Sequence, residues 1–109
     1  MKGLVVLLVL LSPVCVAQQA DTWINLEKQE GAALFKEKCG MCHQGNGMGT
    51  TILSRRLQGD QALLENRKDL KAEFIATVVR SGFGVMYPIS RGEVSDAQLA
   101  KIQQHLVKE

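Results

Sequence analysis

Apolar side chains recur at helical spacing in three stretches of this chain, and polar or glycine-rich segments separate them. The first stretch runs from Leu26 to Cys39. Leu26, Ala32, Leu34 and Phe35 stand there with charged residues between them, and Asn25 occupies an N-cap position. Gly31 lies inside this predicted helix, where glycine costs about 1 kcal/mol relative to alanine; the expected reason is a second helix passing over the missing side chain. The second stretch runs from Leu70 to about Ser81. Leu70, Phe74, Ile75, Val78 and Val79 share one face, with Asp69 as the predicted cap and Gly82 as the stop. In the third, Ser95 and Gln98 have the spacing of a capping box, and Leu99, Ile102 and Leu106 form the predicted buried face.

The intervening segments read differently. Gly45, Asn46, Gly47 and Gly49 predict a loop over Gln44 to Thr51. Leu53, Leu57, Leu63 and Leu64, punctuated by Gly59, predict a short helix near Asp60 to Glu65. Gly82-Phe83-Gly84 and Val85-Met86-Tyr87-Pro88 predict an irregular loop. No stretch alternates as a strand does, so the expected fold class is all-α.

Residues 1–17 change this picture, because they read as an address rather than as structure. Lys2 precedes an apolar run from Leu4 to Leu11, Pro13 breaks it, and Cys15-Val16-Ala17 suits cleavage after Ala17. The run is shorter than the roughly 20 residues of a membrane-spanning helix; an uncleaved anchor is the alternative. Val14 stands before Cys15 where a lipoprotein signal wants a small residue, which argues against lipidation. Residues 18–109 then form one domain with no membrane span. Export implies an oxidising compartment, the periplasm.

The exported part holds few aromatics, namely Trp23, Phe35, Phe74, Phe83 and Tyr87. Its core is thin, and a large apolar cofactor would supply surface that the side chains lack. Net charge is +2 for the whole chain, and the basic residues are dispersed among acids. That distribution points away from nucleic acid as a partner. Arg55 and Arg56 are either solvated charges, anchors for a cofactor carboxylate or contacts to a partner.

The chemistry concentrates at Cys39-Gly40-Met41-Cys42-His43, the spacing of c-type haem attachment. On one helical turn two thiols reach the two porphyrin vinyl groups, and the next residue points its imidazole at the iron. A zinc site would need Cys39, Cys42, His43 and His105 together, a spacing unlike a zinc finger. A thioredoxin-like pair expects a βαβ context, and a disulfide across two residues closes too small a loop to stabilise much. For the opposite face of the iron, Met86 is the best donor, in a loop well separated from His43 and stiffened by Pro88. Buried packing is the commoner role of methionine. Met48, close after His43, and His105, on the last helix, are the rival donors, and Met41 is enclosed by the attachment motif.

With Gly31, Phe35, Cys39, Cys42, His43, Met86 and Pro88 in place, the chain from about Leu26 to Val107 resembles a small mono-haem cytochrome c of class I. The resemblance implies three to four short helices wrapped around one covalent haem with His43 and Met86 as axial ligands. It also implies that the first and last helices cross, with Gly31 and Phe35 meeting an aromatic whose place is taken here by His105. Tyr87 separates Met86 from Pro88, which are adjacent in most members, and Thr50 stands where many carry a proline whose carbonyl accepts from the ligand imidazole. More narrowly, the segments Thr50–Leu57, Phe74–Gly82 and Arg91–Ala97 are similar to the cytochrome subunits of flavin phenol-oxidising dehydrogenases such as p-cresol methylhydroxylase and eugenol hydroxylase.

The function these readings imply is a periplasmic single-electron carrier rather than an enzyme. Its donor would be a flavoprotein dehydrogenase, and its acceptor another cytochrome or a terminal oxidase. The alternatives are a tightly bound electron-accepting subunit of a flavin or quinoprotein dehydrogenase, and a haem sensor or enzyme with an open sixth position.

Overall fold

The structure is a computed structural model that describes residues 28–109. The predicted signal segment, Trp23 and the Asn25 cap lie outside the described residues. Five α-helices follow in order: α1 (residues 28–38), α2 (Gly40–His43), α3 (Met48–Leu53), α4 (Ala72–Ser81) and α5 (Asp96–Leu106). Two 3₁₀ turns, Gly59–Ala62 and Leu64–Asn66, stand where one short helix was expected. Among the described residues there is no strand, only the isolated bridge between Phe83 and Met86. The described fold is all-α, as the sequence predicts.

Two helix ends and one helix crossing stand as the sequence predicts. Ser95 accepts from the Gln98 backbone N–H at 3.2 Å while the Gln98 side chain accepts from the Ser95 N–H at 3.0 Å, completing the capping box. Gly82 closes α4 with φ 74°, and its N–H donates to Val78 O at 2.8 Å. Gly31 is the crossing point of α1 and α5. A Cβ there would collide with the Lys101 carbonyl oxygen and stand 3.0 Å from His105 Cβ. One turn on, the Phe35 and His105 rings are 5.9 Å apart and tilted by 42°, so His105 does take the aromatic position.

Two expectations are corrected. Asp69 does not cap α4, whose N-cap is Lys71 with no side-chain hydrogen bond. Asp69 instead accepts a two-point pair from Arg67 at 2.8 and 2.6 Å, and a carboxylate committed to a guanidinium is lost to the helix. The Gln44–Thr51 loop is also shorter than predicted, because the chain re-enters helix at Met48. Gly47 makes this possible by lying flat against α2, where a Cβ would meet the Cys42 and Met41 carbonyl oxygens at 2.6 Å.

Phe35, Leu70, Ile75, Val79, Val94, Leu99, Ile102 and Leu106 form the core between α1, α4 and α5. Burying Phe35 alone is worth roughly 1.5–3 kcal/mol. His105 closes the rim of this core by bonding Glu65 at 2.7 Å, and Gln44 donates to the other oxygen of the same carboxylate at 3.1 Å. The turn after α2 is thereby tied to the last helix.

Candidate functional site

A cavity of about 370 Å³ opens beside this core, lined by side chains from all five helices and from the loop after α4. Phe35, Ile52, Leu53, Leu70, Phe74 and Val78 make most of its wall apolar. Cys39, His43 and Met86 all border it, although His43 and Met86 lie far apart in sequence. Cys42 does not border it; it sits half-buried on the same turn as Cys39, its N–H donating to Cys39 O at 3.1 Å. Both thiols are free. Burial, and then the nearby Cys42, push the Cys39 thiol up to about 11.

His43 is the most informative side chain in the site. Its Nδ1 is buried with no hydrogen-bond partner, and burial moves its pKa below the ordinary value, which keeps the imidazole neutral with a free lone pair. Gly49 packs against the ring so closely that a Cβ would lie 2.9 Å from Cε1 and 3.0 Å from Nδ1. The Thr50 hydroxyl does not serve the imidazole, since it is directed to Cys42 O at 3.5 Å. Such a ring would suit a metal held at the cavity.

Of the rival donors, Met48 and Met41 are exposed and neither borders the cavity. The His105 ring is held by Glu65 and does not border it either. Met86 is half-buried and packs on the core. Among the described residues no three His, Cys, Asp or Glu side chains gather as a metal cluster, so the four donors of a zinc site are not brought together.

Sequence reasoning named Arg55 and Arg56 as candidate carboxylate anchors, and only Arg56 reaches the cavity. It missed Arg67, which also borders the cavity and whose guanidinium is steadied by Asp69. No sequence signal marked Arg67, because its place on the wall depends on the fold. Two guanidiniums on an otherwise apolar wall fit the two carboxylates of a porphyrin, and the neutral imidazole, thioether and paired thiols fit its iron and vinyl groups.

The comparison with known families agrees with this fit. A family model described as cytochrome c oxidase, cbb3-type, subunit III matches residues 27–106. No curated protein and no solved structure matches the chain.

Proposed function

The chain belongs to the family described as cytochrome c oxidase, cbb3-type, subunit III, whose cytochrome c domain carries haem for electron transfer, and from that premise we propose that it is a periplasmic carrier of single electrons. One observation carries the reading: Cys39, His43 and Met86 border one apolar cavity. The haem supplies the one-electron ferric/ferrous couple. Cys39 and Cys42 would hold it through thioethers, His43 through its neutral imidazole and Met86 through its sulfur, with Arg56 and Arg67 facing its carboxylates.

The apolar wall contributed by Leu53, Leu70, Phe74 and Val78 would keep water away from the iron. Dry surroundings and two neutral ligands favour the less charged, reduced state and raise the potential. With His43 and Met86 both committed to the iron, no position would be left for a substrate, so the site would transfer electrons and leave bonds intact. The family description supports a terminal oxidase as acceptor. The likeness to phenol-oxidising flavoenzyme cytochromes supports a flavoprotein as donor. A second reading, a tightly held subunit of a dehydrogenase, gains from Met41 and Tyr87, large apolar side chains 89% and 85% exposed.

The test is purification of the native protein from the periplasm with Met86→Ala alongside. The expected protein has lost residues 1–17 and carries one covalent haem by mass. Met86→Ala shifts its absorption spectrum and lowers its potential. An unchanged spectrum and potential would remove Met86 from the iron and favour an open sixth position. A flavoprotein travelling with the cytochrome supports the subunit reading over the carrier.

A further inference from the structure

The loop that carries Met86 is fastened just downstream of the methionine. Ile89 has both backbone groups tied to the end of α4: its N–H donates to Val79 O at 2.8 Å, and its carbonyl accepts from Arg80 Nη1 at 3.0 Å. The other arm of the same guanidinium, Nη2, donates to Asp96 Oδ1 at 2.8 Å, and Asp96 Oδ2 accepts from Arg91 Nε at 2.8 Å. Arg80 therefore joins the end of α4, the exit of the loop and the first residue of α5. Its side chain is only 17% exposed and its Nε has no partner, so these two contacts are what the guanidinium has in exchange for water.

Upstream the loop is tight as well. Phe83 and Met86 exchange backbone hydrogen bonds at 3.0 and 2.9 Å. Gly82 lies so close that a Cβ would stand 2.6 Å from Met86 O and 2.9 Å from Pro88 Cδ. Only Tyr87 and Pro88 separate Met86 from Ile89, and the proline ring fixes one of the intervening torsions. A movement at Ile89 is thus passed to the sulfur with little slack.

We propose that Arg80 is a positioning residue for Met86: acting through Ile89, it holds the thioether at the cavity and sets how readily Met86 yields the iron to another ligand. The proposal rests on the reading of Met86 as an iron ligand. The loop then has a state with Met86 in place and a state with Met86 withdrawn, and the bonds of Arg80 belong to the first. An exogenous ligand binds only the second, so its apparent affinity reports the balance between them. Lysine preserves the charge but not the fork, so it cannot reach Ile89 and Asp96 in the same geometry.

The experiment is imidazole titration of the oxidised holo-protein, followed by absorbance, for wild type, Arg80→Lys, Asp96→Ala, Met86→Ala and the Arg80→Lys/Met86→Ala pair. Arg80→Lys is expected to bind imidazole about tenfold more tightly than wild type, the equivalent of one charge-assisted hydrogen bond. Asp96→Ala moves the same way by less. Met86→Ala binds most tightly, and adding Arg80→Lys to it changes nothing. That last comparison separates positioning from general loosening, which would alter affinity in both backgrounds. If Met86→Ala binds imidazole no more tightly than wild type, Met86 is not a ligand and the proposal falls with that reading. If Met86→Ala binds more tightly but Arg80→Lys and Asp96→Ala do not, ligation stands and the brace alone is overturned. Should Arg80→Lys not fold, Asp96→Ala alone, at an exposed carboxylate, makes the same comparison, and wild-type affinity there overturns the proposal.

Discussion

At the scale of single residues, Gly31 sets two physical effects against each other. Helix propensity says that Gly31→Ala stabilises α1 by about 1 kcal/mol. Packing says the reverse, because the added Cβ would collide with the Lys101 backbone carbonyl and press on His105 Cβ. A carbonyl inside a helix cannot swing aside as a side chain does, so packing wins, and urea unfolding of the holo-protein should show Gly31→Ala less stable by on the order of 1–3 kcal/mol. A more stable variant would mean that α1 and α5 are further apart than described. The glycine was legible in the sequence because it broke a rule that only a tertiary contact could excuse. Arg67 was not, since its role depends on which wall of the cavity it reaches and on Asp69 being drawn away from α4. The condition of His43 lay equally beyond sequence: the motif marks His43 as a candidate ligand, but a buried Nδ1 without a partner is a property of its surroundings.

At the scale of elements, the ends of the helices separate what is local from what is not. Ser95 and Gln98 make a reciprocal cap from residues three apart, so sequence alone locates it. Ser95→Ala should therefore cost about 1 kcal/mol, and Ser95→Gly only a few tenths, read from the midpoints of denaturant unfolding. Equal midpoints for Ser95→Ala and wild type would mean that the cap is not formed in solution. The start of α4 was misread for the opposite reason. Asp69 is well placed to cap by spacing, yet Arg67 offers it two hydrogen bonds to a charged group, stronger than a single backbone N–H. α3 was hidden by composition: glycine and threonine read as loop, but the close fold-back at Gly47 gives that short helix its first turn. The burial of Leu99, Ile102 and Leu106 was legible because a helical stripe repeats whatever it packs on.

At the scale of the whole molecule, the stripe on α4 divides between two environments. Ile75 and Val79 are buried in the core and also border the cavity, whereas Phe74 and Val78 border it without being buried, joined there by Phe83 and Val85 from the loop. Phe74, Phe83 and Val85 are 50%, 64% and 63% exposed, an apolar surface that a chain of this size has little other burial to offset. Among the described residues the core cluster comprises eight side chains, and several of them, Phe35, Leu70, Ile75 and Ile102 among them, also border the cavity. The cofactor is then a structural part of the core and not only a passenger. If haem is held through Cys39 and Cys42 as proposed, replacing both by alanine should lower the helical signal in far-ultraviolet circular dichroism and abolish a cooperative thermal transition. A haem-free chain that keeps the helicity of the holo-protein and melts cooperatively would show that α1, α4 and α5 suffice by themselves. The reason to expect otherwise is that α1, α4 and α5, which build the protein core, also present apolar side chains to one shared cavity, and only a molecule filling it removes those faces from water together.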